Sequence, residues 1–244
     1  MSFDIKGKVA LVTGANRGIG KSIVESFIKH GASKVYAAVR DINSVRDLKD
    51  TFGERVIPVY LDLNKPETIT AMASTATDVQ VVVNNAGVLA VASPLSENAE
   101  QALSHELEIN TFGLLRIAKA FAPILEKNGE GALVQLNSVA SIKNFKEVTT
   151  YSASKAAAYS ITQGLKEEFA EKGITVLSVH PGPIATGMAE NAGMLEIAEP
   201  TSVVSEGIVS HLKQGKFHLF PDTVAKEFES AYTDYAQNVV EAVS

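Results

Sequence analysis

Tyr151 and Lys155 stand four positions apart in the small-residue stretch TYSASKAAAY, residues 150–159. On a helix that spacing sets both side chains on one face, one turn apart. A phenol is a weak acid, with a pKa of about 10, and a fixed ammonium beside it favours the phenolate and lowers that value. Such a phenol can protonate a developing alkoxide or, as phenolate, deprotonate an alcohol. The same spacing also arises where a surface aromatic precedes a solubilising cation, so the rest of the chain must discriminate.

The elements that would position this pair follow from the apolar pattern. Short apolar runs at Val9–Thr13, Lys34–Val39, Val56–Leu61, Val79–Asn84, Ala132–Asn137 and Ile174–His180, with a weaker one at Phe217–Phe220, read as strands. VQVVVNNAG and GALVQLNS lack polar alternation, as expected of strands covered on both faces. Helical stretches lie near Gly18–His30, Ser44–Phe52, Pro66–Thr77, Ala99–Glu126, Tyr151–Lys172 and Pro200–Gln214. This alternation predicts an α/β fold: one doubly wound domain over residues 1–244, with a parallel sheet of about seven strands and helices on both faces. Functional groups then gather beyond the carboxyl ends of the strands.

Bulk properties narrow the class. The 244 residues are 45% hydrophobic and 20% charged, ordinary values for a globular chain. A formal charge of -6 and a pI near 5.4 argue against nucleic acid as a main partner. The chain contains no cysteine, which removes disulfides and thiolate chemistry. The amino terminus does not read as a signal peptide, and no apolar run approaches the ~20 residues that span a bilayer. The expectation is a cytoplasmic protein with no membrane partner. No pattern of His or carboxylates suggests a metal; His180, at a buried strand end, reads as structural.

VALVTGANRGIGKSIVESF sets Gly14, Gly18 and Gly20 between a strand and an amphipathic helix. Gly14 permits the tight turn, Gly18 lets a pyrophosphate approach the backbone, and Gly20 lets helix and strand pack closely. The helix amino terminus offers free N–H groups and a positive dipole end to phosphates. About 20 residues on, where an NAD site wants an acid, the chain reads KVYAAVRD, with Val39 followed by Arg40. Arg17 in the Gly turn is a second cation on that side. Paired guanidinium groups suit a 2′-phosphate, so the expected cofactor is NADP(H), and Asp41 reads as a turn or capping acid.

TGxxxGIG at 13–20, NNAG at 84–87 and YSASK at 151–155 together resemble the short-chain dehydrogenase/reductase family over about Ile5 to Phe220. The resemblance implies a Rossmann-type fold and an NADPH-dependent reductase of ketones or aldehydes, reversible as an alcohol dehydrogenase. It implies a catalytic set of Asn110, Ser138, Tyr151 and Lys155. Ser138, thirteen residues before Tyr151 at a strand end, would orient the carbonyl; Ser141 lies farther into the loop. Asn110 would hold a water joining the lysine to solvent, and Lys155 would also bond the nicotinamide ribose. The implied cofactor contacts are Gly14, Asn16, Arg17, Gly18, Ile19 and Gly20 at the phosphates and Arg40 at the 2′-phosphate. Asp62 and Leu63 would bracket the adenine, with Asn84, Ala86 and Gly87 beside the adenosine ribose. Tyr151 and Lys155 would meet the nicotinamide side, where Pro181, Gly182, Ile184 and Thr186 hold its ring and carboxamide.

A lid is expected at Met188–Glu199, with Met188, Met194, Leu195 and Ile197 inward, facing Leu89, Ala140 and Phe145. That pocket suits a small uncharged carbonyl or alcohol substrate. Two other readings are a 3-oxoacyl-thioester reductase and a non-catalytic dinucleotide-sensing protein on the same fold. A sugar-nucleotide epimerase would usually be longer, with a closer-spaced Gly turn. The tail YAQNVVEAVS replaces the family's glycine-rich end, which leaves homo-oligomer, as dimer or tetramer, and monomer all open.

Overall fold

The computed structural model describes residues 2–242; Met1 and the last two residues of the tail, Val243 and Ser244, lie outside the described residues. In chain order the elements are β1 (Val9–Thr13), α1 (Gly18–Lys29), β2 (Lys34–Val39), α2 (Arg46–Phe52), β3 (Val56–Tyr60), α3 (Pro66–Thr75), β4 (Val81–Asn84) and α4 (Ala99–Glu106). They continue as α5 (Gly113–Asn128), β5 (Ala132–Leu136), α6 (Thr149–Ala170), β6 (Thr175–Val179), α7 (Gly187–Asn191), α8 (Thr201–Gln214), β7 (His218–Leu219) and α9 (Thr223–Tyr235). The seven strands form one parallel sheet in the order β3-β2-β1-β4-β5-β6-β7.

The sheet is parallel because its strands have two apolar faces and need cover on each. On one face Ala10, Val12, Val81, Val83, Val134 and Leu177 pack with Phe27 of α1 and Ile208 of α8. On the other, Leu11, Val82, Leu133 and Val176 pack with Ile69 of α3, Phe121 of α5 and Phe169 of α6. Successive residues of each strand thus alternate between two cores rather than between core and water. That is why the runs carry no polar alternation.

The strand order reverses direction between β1 and β4, which opens a crevice at their carboxyl ends. The Gly turn after β1, NNAG after β4, Ser138 after β5 and Pro181–Thr186 after β6 all emerge on that side.

Two expected elements differ. The single helix anticipated at Ala99–Glu126 is α4 and α5 joined by a π-helical segment, Leu107–Phe112, in which Gly113 N–H bonds Glu108 O. Helical periodicity cannot register this one-residue insertion, and such bulges concentrate at functional sites; Asn110 lies in it. The weak seventh strand shrinks to His218–Leu219, because α9 starts almost at once behind Asp222, whose carboxylate accepts the Ala225 N–H at 3.0 Å.

Candidate active site

Helix α1 begins with no side-chain cap and no acid in its first turn, so its leading N–H groups are left for an anion. Gly18 holds φ +54°, and a Cβ there would lie 3.0 Å from Thr186 Cγ2. The turn and the loop after β6 therefore meet face to face, with Asn16, Arg17 and Ile19 along the rim. Residues Gly14 to Gly20 fit a pyrophosphate: they supply free donors and a cradle that side chains would fill.

NNAG is tied to this turn from below. Thr13 Oγ1 accepts both the Asn85 and the Ala86 N–H at 3.0 Å, and Asn85 Nδ2 donates to Thr13 O at 2.8 Å. Asn84 is buried and donates to Gln135 Oε1 at 2.7 Å, so its side chain belongs to the sheet centre rather than to the crevice. Thr13 and Asn85 are therefore organising residues that motif reading passed over; a threonine preceding the first glycine and the doubled asparagine are the signals they left.

Arg17 and Arg40 are both exposed, and neither joins an ion pair among the described residues. Asp41 is turned away into a cap, its carboxylate accepting the Asn43 N–H at 3.0 Å. Asp62 accepts the Asn64 N–H at 3.0 Å through Oδ1. Leu63 is buried against Gly113, and its carbonyl accepts from Arg116 at 3.2 Å, so its side chain belongs to the core.

Around Tyr151 the expected residues converge. A Cβ on Gly87 would lie 3.0 Å from Asn110 Oδ1 and 3.6 Å from Lys155 Nζ. Lys155 is buried, donates to Leu136 O at 2.6 Å, and sits 5.8 Å from the centre of the Tyr151 ring. Ser138 Oγ accepts the Ala140 N–H at 3.1 Å and donates to Pro181 O at 3.3 Å. It also lies close enough to the phenol to favour its anion.

The chain's own groups raise the phenol's pKa; the expected lowering draws on the ammonium together with a positive nicotinamide ring. Burial pushes the Tyr151 pKa up to about 12, with Ser138 offsetting part of the rise and Glu106 adding to it. Burial likewise brings Lys155 down to about 8. Loss of hydration outweighs the Ser138 hydroxyl, while the Lys155 ammonium, 5.8 Å from the ring centre, bonds the Leu136 carbonyl. Near neutral pH the chain by itself therefore holds a protonated phenol over a mostly protonated amine.

The side chain of Asn110 braces the loop after β4. Its Oδ1 accepts the Val88 N–H, and its Nδ2 donates to Val88 O and to Ser154 Oγ, each at 2.9 Å. Both side-chain N–H bonds are committed to the fold, so any water held by this residue would donate to one of its oxygens. The loop after β6 is braced too: Asp222 accepts the Gly182 N–H at 2.8 Å, and Thr186 Oγ1 bonds Ile184 O at 3.1 Å. In the lid segment Met188, Leu195 and Ile197 are exposed. Phe145, expected on the facing wall, packs instead against Phe228 of α9.

His180 is fully buried between Ser178 Oγ at 2.7 Å and Ser141 Oγ at 3.0 Å, stacked on Phe220. Burial, followed by His218, brings its pKa down from 6.5 to about 3. Between those values the unfolded chain binds a proton that the folded ring refuses, so this group makes stability fall as pH drops through that window. Thermal unfolding followed from pH 7 to about 3 is expected to lose part of its pH slope in His180→Gln; an unchanged slope would show that the ring titrates normally.

The short chain dehydrogenase profile matches residues 8–195. Oxidoreductase UcpA of Escherichia coli is 30% identical, over 98% of this chain and 95% of its own. The 3-oxoacyl-(acyl-carrier-protein) reductase FabG of Vibrio cholerae is 33% identical, over 77% of this chain and 78% of its own. Among solved structures, a short chain dehydrogenase from Burkholderia cenocepacia in complex with NADP is 34% identical, with a TM-score of 0.88 over 96% of each chain.

Proposed function

The chain belongs to the short chain dehydrogenase family and is an oxidoreductase of that family, and on that premise we propose that it reduces a ketone or aldehyde with NADPH, reversibly. The observation that carries this reading is the buried Tyr151 phenol beside the Ser138 hydroxyl, above the Lys155 ammonium, at the carboxyl end of β5. Bound NADPH supplies the hydride. Ser138 holds the carbonyl oxygen and donates to it as negative charge develops. Tyr151 passes its proton to that oxygen, and Lys155 steadies the phenolate left behind. Gly14–Gly20 bind the phosphates, and the segment Pro181–Thr186 orients the nicotinamide end.

The NADP preference rests on two exposed guanidinium groups without acidic partners, Arg17 and Arg40, at the place where an acid would select NAD. The Burkholderia relative solved with NADP supports the same choice. In Arg40→Asp the KM for NADPH is expected to rise about tenfold or more, since a charge-assisted bond is lost and a like charge is added. The KM for NADH should change far less. A native enzyme that prefers NADH would contradict this assignment.

A panel of ketones, aldehydes and acyl thioesters, followed by loss of NADPH absorbance, tests the activity. Turnover of simple ketones or aldehydes supports the reading. Turnover of acyl thioesters alone would favour the 3-oxoacyl reductase alternative, which the FabG relative of Vibrio cholerae keeps in view. No oxidation of cofactor with any of them, despite tight NADPH binding, would favour a dinucleotide sensor.

A further inference from the structure

One turn before Asn110, α4 ends on a second buried polar side chain that the proposed reaction leaves unused. Glu106 is fully buried, and its Oε1 accepts the Ala90 N–H at 2.7 Å. Asn110 holds Val88 through both its N–H and its carbonyl at 2.9 Å. Among the described residues, no strand pairs with the chain between β4 and α4 here. Two side chains one helical turn apart thus bond alternate residues, 88 and 90, as an adjacent strand would.

The other carboxyl oxygen, Oε2, is buried without a well-formed hydrogen bond, and so is Thr150 Oγ1, in the residue preceding Tyr151. The Thr150 hydroxyl nevertheless faces the carboxyl and favours its anion, while burial raises its pKa more strongly. The titratable groups acting with it are His105 on its own helix and Tyr151 on α6. Oε1 accepts from Ala90, and Oε2 is left facing the Thr150 hydroxyl.

We propose that Glu106 is a positioning residue of the site: its carboxyl pins Ala90, and with it the segment carrying Leu89, which is expected on the pocket wall, to the helical stretch that carries Asn110. The clamp stands on geometry alone, whereas its kinetic consequence rests on the reductase reading above. Glutamine keeps an oxygen to accept the Ala90 N–H, and leucine does not.

The test pairs amide hydrogen exchange with kinetics. In the native protein Ala90 is expected to exchange about tenfold or more slowly than its exposed neighbour Val91. Equal rates would overturn the clamp without any variant. Glu106→Leu should erase that protection and raise the carbonyl KM about tenfold, with the NADPH dissociation constant within about twofold of native. Glu106→Gln should restore both. Unchanged Ala90 exchange in the leucine variant, or a glutamine variant as impaired as leucine, would refute the proposal. Should leucine fail to fold, the native exchange rates and the glutamine variant still decide it. Absence of carbonyl turnover in the native protein would remove the reductase reading while the exchange arms continue to judge Glu106.

Discussion

Replacing Tyr151 with Phe is expected to lower carbonyl turnover by about 10²- to 10⁴-fold, the range that a positioned proton donor contributes. The substitution removes one oxygen and leaves the ring's packing in place, so thermal unfolding should stay near the native value. Among the described residues, His180, Glu106 and Lys155 are not placed to substitute. His180 is locked between two serines, Glu106 is fully enclosed, and the Lys155 ammonium points to the Leu136 carbonyl. Steady-state rates on any substrate the panel identifies would check this, and near-native turnover would mean that the proton comes from elsewhere.

The raised pKa of Tyr151 adds a directional signature. With a value of about 12 the phenol is fully protonated at neutral pH, the form needed for reduction. Alcohol oxidation needs the phenolate, so its rate should climb with pH. Reduction should decline as pH passes about 8, where Lys155 loses the charge that steadies the phenolate. Bound oxidised cofactor carries a positive ring that lowers the phenol's value, which moves the oxidation limb to lower pH without reversing its slope.

Fold and site differ in how far the residues announce them. The two-faced strands were readable because Leu11, Val82 and Leu133 leave no polar position between apolar neighbours. The Gly turn, Ser138 and the Tyr151–Lys155 pair were readable because type and spacing are themselves the chemical requirement. What stayed hidden depends on distances between segments far apart in the chain. The π segment around Asn110 is a one-residue insertion within a helical period. The Glu106–Ala90 bond joins a helix to a loop with no periodicity of its own. The direction of the Tyr151 shift is a contest between burial and the Ser138 hydroxyl, and spacing on one helix determines neither.

Gly20→Ala is expected to abolish cofactor binding and to destabilise the fold by about 3 kcal/mol or more, at or beyond the upper end for overpacked interiors. A Cβ there would lie 2.2 Å from Gly14 O, 2.6 Å from Asn85 Nδ2 and 2.8 Å from Gly14 C. Two of those three atoms are backbone of the turn itself, so relief cannot come from rotating a side chain. Either α1 lifts off the strand or the turn opens, and both displace the N–H groups meant for the phosphates. Gly164, within α6, provides the contrast: a Cβ at that position meets nothing within 4 Å. Gly164→Ala should therefore raise stability by up to about 1 kcal/mol through helix propensity alone, with NADPH affinity unchanged. Thermal unfolding and NADPH titration of the two variants separate a loss caused by close packing from a general intolerance of alanine. Native-like NADPH affinity in Gly20→Ala would show that the turn and helix do not meet as closely as the 2.2 Å approach requires.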